Sequence, residues 1–346
     1  MAKSTEAFAT YHQQKEEIAG YLQVASAGIA LLRRTIDVQN APVLLGALVD
    51  SCGVKYWGKE KRYNSAIEKV DAGWSALANQ GVIQQVAAFD RFSRALVQDV
   101  ARFSQRARDS HDRLKHDHDL LMLSSADRWV VNHCCNDVAG RLGRLSMRLE
   151  ELQAWTGWKP SSKLAPTLPL FDLVRSIRNR IAHDGAVIGA ELDELARSQK
   201  IADAISAFRK YTKRDLPSLP NFARGKRLNL DVVHAILFGA FFYEIAKELN
   251  AYAVDLLDDG EFIDMAFFYS CVVDEHPFRT INHVKPESRI SHYLASRYLR
   301  QRCAPGPDNV INHLTRRELI DSNGKVLSTF WRVAIERHSS LSECGN

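Results

Sequence analysis

The sequence has few cysteines and no long apolar run, and these absences exclude several classes of protein. Six cysteines stand at positions 52, 134, 135, 271, 303 and 344 of 346 residues, with no CxxC pair. A disulfide framework of the kind found in small secreted domains is therefore not expected, and reduced thiols in the cytoplasm are. The most apolar stretch, residues 232–246, contains His234 and Glu244 and is shorter than the roughly 20 residues of a membrane span. It predicts a buried helix in a cytoplasmic protein without membrane contact.

The sequence also lacks a strong charge bias and a recognisable metal motif. Its 46 Lys and Arg residues against 41 Asp and Glu residues give a net charge of only +5, so a phosphate-rich ligand would have to meet local basic clusters. His111, His116 and His118 lie among aspartates but without the partner ligands of a known site. We therefore expect no metal and no cofactor.

What the sequence does contain is helical periodicity, which predicts an all-α fold. We expect an N-terminal helical extension over residues 1–82, a helical domain over residues 83–258 and a C-terminal tail over residues 259–346. In the tail, residues 289–302 predict a basic amphipathic helix, and Asn323-Gly324 between apolar pairs predicts a β-hairpin. The tail is thus a small α+β element on an otherwise helical protein.

One segment carries residues suited to phosphate chemistry. His183 follows Arg178 by five residues, a spacing that also occurs at Arg106/His111, Arg113/His118 and Arg128/His133. On a continuous helix such residues point about 140° apart, so the pair can converge only near a helix end. Asp184-Gly185 predicts that end directly after His183. By contrast, Arg128/His133 falls inside a predicted helix, and the other two pairs fall in a charged, solvated stretch. Imidazole can exchange protons near neutral pH and a guanidinium can bind two phosphate oxygens, which together suit metal-free RNA cleavage.

The segment from Leu170 to Gly185, LFDLVRSIRNRIAHDG, resembles the motif helix of HEPN domains, in which a polar residue often follows the motif arginine. The resemblance implies an antiparallel helical bundle that dimerises into one RNA-cleaving cleft, with Arg178, Asn179 and His183 as catalytic residues. It further implies a toxin or anti-phage defence effector with a regulatory protein partner. Gly185 stands where family members controlled by adenylylation carry tyrosine, so control at that position is not expected. The alternative is a noncatalytic HEPN scaffold that binds RNA or a protein, and a helical adaptor without any nucleic-acid role is a third class.

Basic residues close in sequence to the motif are candidates for binding the RNA backbone. They interleave with aromatic residues, as in many nucleic-acid surfaces, although basic loops are also common as plain solvated surface. The predicted RNA-binding residues are Arg180, Arg209, Lys210, Lys213, Arg214, Arg224, Lys226 and Arg227. By contrast, Arg141, Arg144 and Arg148 share a helical face that we interpret as a solvated stripe.

Overall fold

The computed structural model describes residues 4–35, 47, 51, 66–106, 143–213, 219–220, 222–269 and 307–321. Of these residues 79% are helical and none belongs to a β-strand, which confirms the all-α class. The predicted basic helix at 289–302 and the predicted hairpin turn at Asn323-Gly324 lie outside the described residues. None of the helices in the described ranges is both long enough and apolar enough to cross a membrane.

We number the α-helices of the described residues in chain order. Two short 3-10 helices, Leu145–Met147 and Ala165–Thr167, lie between them. The helices are α1 (Glu6–Thr35), α2 (Ala66–Phe103), α3 (Arg148–Thr156), α4 (Pro169–His183), α5 (Ala190–Arg197), α6 (Gln199–Thr212), α7 (Val232–Leu256), α8 (Asp259–Phe268) and α9 (Pro307–Arg316).

The chain divides into two compact units, each built from separated stretches of sequence. The first unit comprises residues 1–12, 90–160 and 245–346, and the second comprises residues 13–89 and 161–244. The domain boundaries expected from the sequence remain a prediction.

In the first unit, polar contacts supplement an aromatic core. The rings of Tyr11 and Phe92 pack with centroids 5.1 Å apart. The amide of Thr5 donates to Asn250 Oδ1 at 2.8 Å, which joins the start of α1 to α7 inside the core. Arg148, at the start of α3, is buried and its Nη2 lies 2.6 Å from Asp90 Oδ1. The interpretation of Arg148 as part of a solvated stripe was therefore wrong.

The second unit contains α4, and three phenylalanines fix that helix in its core. Phe89 of α2 stacks on Phe242 of α7 at 4.8 Å, and Phe171 of α4 meets Phe242 edge to face at 5.9 Å. Such ring pairs add about 0.5–1.5 kcal/mol each beyond the area that they bury. The apolar residues of α7 are thus used inside the chain, and of its large hydrophobic residues only Val233 is exposed.

Candidate functional site

The motif helix α4 forms as the sequence predicts, with one buried face. Its apolar stripe of Leu170, Leu173, Val174 and Ile177 is buried in the second unit. Pro169 occupies the first turn, where the missing N–H costs nothing. Residues on the other face therefore point away from the core.

The helix ends directly after His183, at the predicted stop signal. The carbonyl of Arg180 accepts hydrogen bonds from the amides of Asp184 at 3.1 Å and Ala186 at 2.9 Å. Gly185 has φ of 58° and Ala186 has φ of 63°, so two successive residues take the left-handed conformation. For an alanine this geometry costs about 1–2 kcal/mol, and tertiary contacts must therefore hold it in place.

The three residues expected to be catalytic differ in their surroundings. His183 is exposed, whereas Arg178 and Asn179 are half-buried, and Arg178 Nη1 donates to Asn179 Oδ1 at 3.2 Å. Because α4 continues through His183, the Cα–Cβ directions of Arg178 and His183 still differ by about 140°. No hydrogen bond joins these two side chains, both of which the structure describes. Within one copy of the chain, therefore, the two side chains do not meet.

The side chain of Arg180 closes the turn rather than projecting freely. Its Nη1 lies 2.7 Å from Asp184 Oδ2, an ion pair between residues four apart. The guanidinium also lies against Gly189, where a Cβ would be only 2.7 Å from Nη2 and 2.8 Å from Cζ. Arg180 therefore holds the loop after α4 in two ways. Its carbonyl accepts hydrogen bonds from the amides of Asp184 and Ala186, and its guanidinium forms an ion pair with Asp184.

The loop after α4 pairs with the basic loop at residues 224–228. The amide of Ile188 donates to Lys226 O at 2.9 Å, and the amide of Gly225 donates to Ile188 O at 2.8 Å. The amide of Leu228 donates to Ala186 O at 2.7 Å, which holds the left-handed Ala186. Val187 and Arg227 form the antiparallel bridge at the centre of this pairing. The structure thus brings two segments together that stand about forty residues apart in the sequence.

This pairing gathers positive charge beside the exposed His183. The side chains of Arg224, Lys226 and Arg227 are exposed on the paired loop. Segments 178–188 and 224–228 together hold five Lys and Arg residues and one carboxylate, Asp184, which Arg180 neutralises. This excess of positive charge favours the binding of an anionic ligand such as a phosphate group.

Two of the other predicted RNA-binding residues, Arg209 and Lys210, lie toward the opposite end of α4. Arg209 and Lys210 directly follow Phe208, which lines an apolar cavity together with Leu170 in the first turn of α4. Leu170 and His183 are separated by thirteen residues of helix, or about 20 Å. Lys213 is exposed past the end of α6, and Arg214 lies outside the described residues. The structure therefore groups the loop cations, but not the α6 cations, with the motif.

Asp184 and Gly189 were not recognised from the sequence as parts of this site. The spacing of Arg180 and Asp184 is an ordinary helical ion-pair spacing that could have indicated the contact. Nothing local indicates that Gly189 makes room for a guanidinium. In the ranges that the structure describes, no group of three His, Cys, Asp or Glu residues is arranged to hold a metal ion.

Comparison of the chain with protein-family models, with curated proteins and with solved structures found no match. Any functional inference therefore depends on the residues and geometry of this chain.

Proposed function

We propose that the chain is a metal-independent endoribonuclease of the HEPN type that acts as a homodimer in the cytoplasm. The observation that carries the proposal is the exposed His183 at the end of α4, beside the backbone-paired cations of the 224–228 loop. A toxin or anti-phage defence effector under the control of a regulatory protein is the setting that the HEPN resemblance implies.

The proposed chemistry uses the neighbouring hydroxyl of the ribose. The 2′-oxygen attacks the phosphorus as its proton leaves, and the bond from phosphorus to the 5′-oxygen breaks as that oxygen gains a proton. His183 serves as general base or acid in this exchange, with the second copy supplying the other proton transfer. Arg178 binds the phosphate and its developing charge, and Asn179 orients Arg178 through the observed hydrogen bond.

The loop cations bind the adjoining RNA backbone in this proposal. Lys226 and Arg227 flank the bridge to Val187, so their backbones are fixed relative to the end of α4. Arg180 is engaged with Asp184 and contributes to phosphate binding only if that ion pair opens. We therefore assign most of the backbone affinity to the loop.

A second candidate is a noncatalytic scaffold that binds RNA or a partner protein through the same surface. It is favoured by the helical continuation through His183, which keeps Arg178 and His183 on different faces of α4. In this case the surface binds phosphate and leaves the RNA intact.

The test is cleavage of a labelled RNA in EDTA by wild type, Arg178→Ala and His183→Ala. We expect products with a 2′,3′-cyclic phosphate, and a loss on the order of 10² to 10⁴ in rate for His183→Ala with RNA affinity largely retained. Arg178→Ala should lower both rate and affinity.

The control is the pair Arg128→Ala and His133→Ala, which shares the five-residue spacing outside the described residues. At matched helicity by circular dichroism these variants should keep the cleavage rate. A requirement for Mg²⁺, or equal rates for wild type and His183→Ala, would contradict the proposal. RNA binding without cleavage by any variant would favour the scaffold.

A further inference from the structure

The outward face of α1 carries an apolar stripe that the fold leaves exposed. Tyr21 is 54% exposed, Val24 is 75% exposed and Leu31 is 64% exposed. Large apolar side chains on a soluble surface usually occur singly, whereas these recur at helical spacing. At about 100° per residue, six positions fall within an arc of about 120° on one face. They are Gly20, Tyr21, Val24, Ala27, Gly28 and Leu31.

The opposite face of α1 is the one that packs inside the chain. Leu22 is fully buried and packs so closely on α2 that a Cβ added at Gly81 would lie 3.0 Å from its Cδ atoms. The apolar spacing that predicts an amphipathic helix here comprises Ile18, Tyr21, Leu22, Ala25, Ile29 and Leu32, and in the structure all of these except Tyr21 are buried or half-buried. The outer stripe is therefore a second apolar face, and the packing of α1 on α2 does not use it.

Two glycines within the outer stripe have no role in packing within the described chain. A Cβ at Gly20 or at Gly28 would meet no atom within 4 Å. Glycine is among the least favourable residues inside a helix, so two such positions weaken α1 without an intramolecular gain. A glycine on a helix face does allow another helix to approach closely, and that use fits an intermolecular contact.

The charges at the two ends of the stripe point to its occupant. Glu17 precedes the stripe and Arg34 follows it, both exposed. A second α1 aligned in parallel would place Glu17 against Glu17 and Arg34 against Arg34. An antiparallel α1 centred between Val24 and Gly28 instead places Glu17 within one residue of the position opposite Arg34. The same alignment sets Tyr21 against Leu31 and inserts Val24 at Gly28, each contact occurring twice.

We propose that the outer face of α1, residues 20–31 with Glu17 and Arg34, binds the same face of a second copy of the chain in antiparallel orientation. The stripe is complementary to itself, with bulky residues opposite bulky ones and a branched side chain opposite a glycine. The contact does not depend on RNA cleavage, and it gives a homodimer a defined surface.

The experiment is sedimentation equilibrium of the full chain over a range of concentrations. Wild type should dimerise reversibly, and Val24→Lys should be monomeric at concentrations where wild type is a dimer. The matched control is Val233→Lys, the same substitution at an exposed valine of α7, which should dimerise like wild type. Because Val24 and Val233 are both exposed in the chain, neither change should alter helicity by circular dichroism.

Three further variants test the glycine and the orientation. Gly28→Leu should raise the dimer dissociation constant at least tenfold while the melting temperature at low concentration stays the same or rises, since only the intermolecular gap is filled. Glu17→Arg should raise the dissociation constant about tenfold, and adding Arg34→Glu should restore it.

Specific outcomes would overturn the proposal. These are a monomeric wild type at every concentration, equal behaviour of Val24→Lys and Val233→Lys, or a Gly28→Leu dimer as tight as wild type. Failure of RNA cleavage with an intact dimer would instead count against the proposed function alone. A dimer in which Arg34→Glu does not rescue Glu17→Arg would exclude the antiparallel orientation.

Discussion

Asp90→Asn should destabilise the first unit more than an ordinary surface substitution, because Asp90 neutralises a buried guanidinium. The side chain of Arg148 is 1% exposed, and its Nη2 lies 2.6 Å from Asp90 Oδ1. Asp90 Oδ2 also lies 3.1 Å from Nε of Arg94. Burial lowers the pKa of Arg148, and the negative charge of Asp90 acts in the opposite direction. Since arginine stays charged in proteins, the cost of burial appears as a loss of stability rather than of the proton.

The magnitude follows from removing one partner of this ion pair. Breaking a buried pair by deleting one charge costs about 3–5 kcal/mol. The negative charge of Glu151 also raises the pKa of Arg148 and would keep part of the compensation. The Asp90 side chain is about one-third exposed, which lets water approach and places the expected loss near the lower end, at about 3 kcal/mol. Arg94 and Arg148 would also repel each other once the carboxylate is gone.

The assay is urea unfolding followed by circular dichroism, with Asp172→Asn as the matched control. Asp172 is 41% exposed and its ion pairs with Arg175 and Lys200 are 3.9 Å and 3.8 Å long, so its loss should cost at most about 0.5 kcal/mol. Adding Arg148→Met to Asp90→Asn should recover most of the stability, since a methionine buries without a charge. Equal losses for the two aspartates, or no recovery in the double variant, would refute this reasoning.

Two further predictions concern the site. Replacing both Lys226 and Arg227 by glutamine should weaken RNA binding and reduce the slope of log affinity against log salt by about 1.4, as for two lost contacts to a single strand. Arg209→Gln, at the other end of α4, should leave the cleavage rate unchanged. If Arg209→Gln impaired the protein as much as the double substitution of Lys226 and Arg227, the grouping of the loop cations with the motif would be contradicted. Gly189→Ala should displace the Arg180 guanidinium and speed amide exchange in the paired loops while costing less than about 1 kcal/mol, because the extended backbone at Gly189 accepts alanine. Unchanged exchange would show that Arg180 does not hold the turn.

Local signals predicted several elements well. The apolar run at residues 232–246 predicted a buried helix, and α7 spans Val232–Leu256. The end of α4 was predicted from Asp184-Gly185, and the helix stops at His183 with Gly185 in the left-handed conformation. In both cases the determinant is a property of a few consecutive residues, which a sequence displays directly.

Contacts between distant residues could not be predicted in the same way. The periodicity around Arg148 identified a helical face, but it did not indicate that Asp90, 58 residues earlier, packs against it. The pairing of residues 186–188 with 225–228 has no hairpin signal, because the whole of α5 and α6 lies between the two segments. Pairing of this kind depends on where the helices pack, and the hydrophobic pattern of each helix specifies only which face is buried.

Around α4, such tertiary contacts place residues of the same type in different surroundings. Sequence alone treated Arg180, Arg227 and Arg209 as equivalent cations near a motif, since all are arginines within a short stretch. In the folded chain Arg180 is held by Asp184 and Gly189, Arg209 lies toward the other end of α4, and Arg227 is exposed on a backbone paired to the motif loop. The paired backbone therefore groups Arg227, and not Arg209, with the loop that follows the motif. This pairing, more than the number of basic residues in the sequence, determines which cations are joined to the end of α4.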